Sequence, residues 1–301
     1  MKTRLIVVAL IALTFCVPAV ADSTYKPFVL ASVNEAGLAD QADATVDALE
    51  SAGFSISGKY QPLENTLVIV ATSDALKEIA AASDRGGYAV GQRVSVTERD
   101  GKTEVAFVNP VYLQYAYQLG ADMQPVFDSL AAALGHVESF GSEKGLTAKT
   151  LGKYKYTIGM PKFDDPSELG SFGSFGEAVA AVEKGLATEG DALSQVYRID
   201  IPGKDQAVFG VGMKATGNNE DEEDIDEALL MSVVDFDGPA KAAYFPYEIM
   251  VNGTEVEALH MKYRMALHFP DLSMMGAHGF MKLRSSPGAV EDAFEMLVTD
   301  E

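Results

Sequence analysis

Residues 91–113 read GQRVSVTERDGKTEVAFVNPVYL, and the fold is decided by how this stretch is parsed. Val94 and Val96 lie two apart, as do Val105 and Phe107, with polar residues between. That alternation predicts two half-buried strands, Gln92–Glu98 and Lys102–Val108. Between them stands Asp100–Gly101, among the best short hairpin signals, because glycine tolerates the positive φ such a turn demands. Asn109–Pro110 stops the second strand and opens helical sequence. The segment Met123–Leu134 then closes the unit with Phe127, Leu130, Ala131 and Leu134 on one face.

Working outward, Phe28–Val33 reads as a strand, Asp40–Gly53 as a helix, and Phe54–Tyr60 and Leu67–Ala71 as strands. Ser73 caps a helix over Asp74–Ala82. A worn copy follows. Tyr154–Met160 reads as its opening strand and Lys162–Gly176 as a glycine-bearing loop. Glu177–Ala187 reads as a helix, and Val196–Ile201 and Ala207–Met213 as strands. A second hairpin turns at Asn252–Gly253 between Pro246–Met250 and Thr254–Leu267, and Ser286–Pro287 opens a last helix. The expectation is an α+β chain. It has two tandem β-α-β-β-α-β-β-type domains, mainly antiparallel sheets, and helices packed on one face. The units are placed at 22–145 and 146–301, the second carrying an acidic insertion at 217–228. Seven of the eight residues from Glu220 to Glu227 are acidic.

Residues 1–21 have a basic start (Lys2, Arg4), an apolar run and Ala19–Val20–Ala21, the pattern of a secretory signal cut near Ala21. The expected location is therefore periplasmic or secreted. The single cysteine, Cys16, falls in that segment, so the mature chain is expected to use neither disulfides nor thiol chemistry. Removing Lys2 and Arg4 takes the formal charge from −21 to −23. Such acidity argues against nucleic acid and against anionic membrane surfaces. No later run is long enough for stable membrane insertion.

The run from Gly91, through Asp100-Gly-Lys-Thr-Glu-Val-Ala-Phe-Val-Asn-Pro-Val-Tyr-Leu, into an Ala/Leu-rich helix resembles the DUF302 domain family. Leu67–Ala82 is similar to that family's middle strand and helix, with Ala71-Thr72-Ser73 in place of its usual Gly-Asn-Pro. The resemblance covers roughly Ala31–Gly135. It is weaker over Tyr154–Val298, where Asn252-Gly253-Thr254 keeps the turn and the Asn-Pro-x-Tyr-Leu ending is absent. It implies a small α+β domain, often dimeric, without a settled biochemical function. Two fused copies would then pair within one chain, raising each other's effective concentration.

No G-x-S-x-G elbow is present, and a Ser-His-Asp set can be drawn only by free choice of partners. No catalytic residue is named, and a non-enzymatic protein binding a small ligand or a protein partner is expected. The densest chemistry lies in residues 260–281, with three histidines and five methionines. Thioether and imidazole ligands suit copper, and the same groups ligate haem iron. His268, Met274, Met275 and His278 form the candidate metal set, although no cofactor is required by the sequence. If Glu257–Leu267 is extended, Met261, Met265 and Leu267 share one face, while His260, Lys262 and Arg264 form a basic stripe for an anion or partner. The same residues also read as a methionine-filled core face with a solvated basic side. The acidic run lacks the glycine and ligand spacing of a calcium loop, and reads as solvated.

Overall fold

The computed structural model describes residues 23–188, 192–217 and 220–299. The signal-like segment 1–21 and residues 218–219 of the acidic insertion lie outside the described residues. The first half contains β1 (Thr24–Tyr25), β2 (Phe28–Asn34), α1 (Leu38–Ser51), β3 (Ser55–Leu63), β4 (Thr66–Thr72) and α2 (Asp74–Ala81). It continues with β5 (Gln92–Arg99), β6 (Lys102–Val108), α3 (Pro110–Ala116), α4 (Gln124–Leu134), β7 (Glu138–Phe140), β8 (Leu146–Thr147) and α5 (Ala148–Leu151). The second half contains β9 (Ser167–Ser171), α6 (Phe175–Thr188), β10 (Leu193–Asp200), β11 (Gln206–Met213) and α7 (Glu227–Val234). It ends with β12 (Tyr247–Asn252), β13 (Glu255–Ala258), α8 (Met261–His268) and α9 (Ser286–Thr299).

The fold is α+β, and every strand pair among the described residues is antiparallel. A six-stranded sheet has the order β3-β4-β5-β6-β2-β7 and a five-stranded sheet β10-β11-β12-β13-β9, while β1 and β8 form a small two-stranded sheet. The second order matches the first five places of the first, strand for strand, with α1 answered by α6 and α2 by α7. Among the described residues no helix is long and apolar enough to cross a membrane.

Local chemistry fixes the hinges of this plan. Arg99 pairs with Lys102, and the two residues between them, Asp100 and Gly101, take φ of 53° and 73°, as a two-residue hairpin of the primed type requires. Gly253, in the equivalent loop, has φ 65°. The Asn109 carboxamide oxygen accepts from the N–H groups of Val111 and Tyr112 at 3.0 and 3.4 Å, with Pro110 as the first helical residue. This caps α3 where the strand stops. Ser73 caps α2 by accepting from Leu76 N–H at 3.2 Å.

The strand registers show which face looks where. Ile69, Val94 and Phe107 align across β4, β5 and β6, and the Phe107 ring meets Phe127 of α4 at 6.2 Å. That is the helix-covered face. Val70, Arg93, Val108 and Phe28 align on the opposite face, which turns toward the second half, where Phe28 meets the His268 ring at 5.9 Å. The second sheet repeats the arrangement. Tyr247 packs on Phe294 of α9, while Glu248, Met250 and Glu257 turn inward. The two sheets therefore stand face to face with helices outside. Polar residues at alternate positions of β5 are buried, because its second face is covered by protein rather than water.

Three sequence expectations need correction. Tyr154–Met160 is not a strand: Tyr154 and Tyr156 spend their hydroxyls on the carbonyls of Ala266 and Leu272, at 2.7 and 3.1 Å. The opening strand is β9, inside the stretch read as loop, where it pairs with β13. The expected strand Thr254–Leu267 ends at Ala258, and α8 follows. Of the helix's eight residues only Lys262 is exposed. A helix buried on nearly every side has no amphipathic period to read. Finally, the acidic run is not simply solvated. Asp226 caps α7 by accepting from Leu229 N–H at 2.9 Å, Asp224 accepts from Ser285 at 2.7 Å, and Glu227 is buried.

Candidate functional site

Helix α8 has two working sides, set by where its neighbours stand. His260 precedes it and accepts from Lys262 N–H through Nδ1 at 3.2 Å, capping the first turn. Arg264 and His268, four residues apart, share the side that enters the seam between the sheets. There Arg93 Nη1 donates to Glu248 Oε2 at 2.9 Å, both side chains being only 1% exposed. Tyr197 donates to the other Glu248 oxygen at 2.8 Å. Arg264 Nη2 donates to the carbonyls of Tyr244 and Pro246 at 2.7 and 2.6 Å and stands 3.7 Å from Glu248. Its guanidinium also lies over the rings of Tyr244 and Tyr247, at 4.4 and 4.3 Å.

His268 belongs to this network. Its Nδ1 lies 2.8 Å from the Arg264 carbonyl and must donate to it. Nε2 is then left to accept from Arg93 Nη2 at 3.3 Å. Burial, followed by the two nearby guanidinium charges, holds its pKa well below the ordinary histidine value, so the ring is neutral. Two more cross-half pairs flank the network: Arg85 with Glu257 at 2.8 Å and Arg99 with Asp235 at 3.1 Å.

The other side of α8 helps enclose a pocket of about 240 Å³. Met160, Met265, Met274 and Met281 wall it, and Tyr156 meets Phe280 edge to face there at 5.1 Å. The wall is held by backbone: Phe280 N–H donates to Ser273 O and Met281 N–H to Met274 O, each at 3.0 Å. Those two bonds set Met274 and Met281 side by side. Lys262 and Arg284 complete the lining, both exposed. Among the described residues no carboxylate lies within ion-pair distance of either cation. No carboxylate or imidazole lines the pocket. Thioethers, aromatic edges and two free cations are what it offers a guest.

A larger cleft of about 450 Å³ opens along the seam, lined in part by Phe236, Lys241, Phe269 and Asp271. Lys26 and Glu143 line it without an ion pair among the described residues, while its other charges are engaged. Lys241 is held by Asp235 and Asp237 at 3.4 and 3.0 Å, and Asp271 accepts from Ser142 and from Glu143 N–H. The smaller pocket is the more apolar of the two, and its four thioethers make it the candidate site.

Of the residues singled out from sequence, Met274 alone of the candidate metal set lines this pocket. His268 is enclosed in the seam with both ring nitrogens bonded. His278 donates through Nδ1 to the Val233 carbonyl at 3.2 Å and stacks on Phe236 at 4.1 Å. Met275 is 72% exposed. Among the described residues no three of histidine, cysteine, aspartate and glutamate gather as a metal-holding group. The basic stripe is not a stripe either. His260 is a cap, Arg264 is buried in the seam, and Lys262 alone faces outward. Met160 and Arg284 were not singled out, because nothing local in the sequence joins them to Met265. No family model, no curated protein and no solved structure matches the chain.

Proposed function

We propose that this is an exported, non-enzymatic binding protein that takes a small apolar ligand between Met160, Met265, Met274 and Met281. Its body is read as two DUF302-like units fused into an intramolecular pair. The repeated strand order and the Asp100–Gly101 motif support that reading, and the signal-like residues 1–21 support export. The observation that carries the binding role is the pocket itself: a methionine-walled space whose lining also holds two unpaired cations. Methionine's three rotatable bonds and polarisable sulfur let one wall fit guests of different shape.

The test uses protein labelled with ¹³C at the methionine methyls and titrated with 1-octanol. Saturable shifts are expected at Met160, Met265, Met274 and Met281, with Met250, buried in the seam, unmoved. Shifts confined to the exposed Met275 and Met296, or none, would overturn the reading.

Four thioethers around one cavity also favour a second reading, Cu(I) binding, since soft sulfur selects that ion. Anaerobic titration with Cu(I) of the same sample separates the two. A stoichiometric perturbation of the four pocket methyls, abolished in Met160→Leu/Met281→Leu, supports copper; unchanged spectra remove it.

A further inference from the structure

We infer that the pocket's ligand is an amphipathic anion, a medium-chain alkyl carboxylate, with its tail against the methionines and its head between Lys262 and Arg284. The inference rests on the pocket reading above and adds the head group and tail length.

Three observations lead there. First, the lining is of two kinds. Most of it is apolar, with Met265 and Leu283 buried and Met274 and Met281 40% and 44% exposed, while its two charged side chains are both cations. A guest that satisfies both regions is apolar at one end and anionic at the other. Second, these cations are spare. The cations buried between the halves each have an acidic or carbonyl partner: Arg93 has Glu248, Arg85 has Glu257, and Arg264 has two carbonyls. Asp224 accepts from Ser285, the neighbour of Arg284 in sequence, and not from Arg284 itself. In a chain of net charge −21, two cations and no carboxylate line this apolar pocket. Arg284 also offers the planar fork that matches a carboxylate. Third, the volume sets the tail. At roughly 30 Å³ per water-sized group, about 240 Å³ holds a chain of about eight non-hydrogen atoms.

The overall negative field opposes any anion, so the preference depends on the two local cations alone. Removing them should therefore cancel the preference rather than merely weaken it.

The experiment titrates the full-length protein at about pH 7.5, where a carboxylic acid is ionised, with octanoate, 1-octanol and octyltrimethylammonium. Binding is read from the pocket methionine methyls. Octanoate is expected to bind more tightly than 1-octanol, by about fivefold for each cation engaged, and octyltrimethylammonium more weakly than both. From hexanoate to octanoate each methylene should tighten binding about fourfold, with the gain ending near the length that fills the cavity. In Lys262→Ala/Arg284→Ala, octanoate should fall to the level of 1-octanol or below it while 1-octanol is unchanged. Both residues are exposed, and the unmoved Met250 resonance reports that the variant is folded. If 1-octanol and octanoate bind equally well to the native protein, the anion inference fails and the pocket reading stands. If none of the three binds, both fail.

Discussion

Glu248→Gln isolates the charge at the centre of the seam. Glu248 faces two buried guanidinium groups, Arg93 at 2.9 Å and Arg264 at 3.7 Å. The substitution keeps the shape of the side chain and an oxygen for the Tyr197 hydroxyl, and removes the charge. Two cations then remain in the interior without an anion. Breaking a buried pair by removing one partner costs about 3–5 kcal/mol, because the desolvation of the survivor is no longer compensated. For a protein of this size about 1 kcal/mol moves the thermal midpoint by roughly 2–4 °C, so the midpoint should drop by about 6–20 °C. Arg93→Met should cost less, since it leaves one cation with one anion and leaves Glu248 the Tyr197 hydroxyl. Glu183→Gln serves as the control. Its pair with Arg198 at 2.6 Å is largely exposed, and such pairs contribute about 1 kcal/mol or less. The assay is thermal and urea unfolding of the three variants, followed by circular dichroism. If Glu248→Gln unfolds within about 3 °C of the native protein, or Arg93→Met proves the more damaging, the charge argument is wrong.

Two further outcomes follow from the same interior. Burial pushes the Glu227 carboxyl well above its ordinary value of 4.5, against the lowering effect of the Tyr60 hydroxyl that donates to it at 3.1 Å. The folded protein thus keeps a proton that the unfolded chain releases, and Glu227's contribution is complete below about pH 4.5. It is lost as pH rises toward the folded pKa, at up to about 1.4 kcal/mol per pH unit. Glu227→Gln should accordingly gain on the native protein between about pH 5 and 7; a difference that stays flat across that range refutes the assignment. Gly58 lies in β3 against the second half, where an added Cβ would stand 2.3 Å from the Val196 carbonyl oxygen. Gly58→Ala should cost about 1–3 kcal/mol through overpacking at the seam, and unfolding that matches the native curve would show that the two sheet edges do not meet there.

Much of the architecture could be read from residue order. The alternation around Asp100–Gly101 and the capping residues Ser73 and Asn109 are local signals, and each ended in the element it announced. The failures share one cause: tertiary cover. Residues 261–268 alternate in polarity well enough to pass for a strand, but all except Lys262 are buried, Arg264 and His268 included, so that polarity does not report which side meets water. β9 has the unpromising sequence SELGS and is a strand because β13 supplies its partner. The site was legible only in part. The methionine content of residues 260–281 drew attention to the right segment, yet the histidines that suggested a metal are engaged elsewhere. His268 fastens Arg93 to α8, and His278 rests on Phe236. Met160, more than a hundred residues upstream of Met265, lines the same pocket, in a segment that the Tyr156 hydroxyl ties to the Leu272 carbonyl.

The central claim is that a guest sits among the pocket methionines, and the most direct measurement is a crystal structure with 8-bromo-1-octanol, a neutral probe whose bromine is located by anomalous scattering. The account expects the bromine among Met160, Met265 and Phe280, within contact distance of about 4–4.5 Å of their side chains. A bromine in the seam cleft beside Phe236 and Lys241, or only at the protein surface, would contradict it.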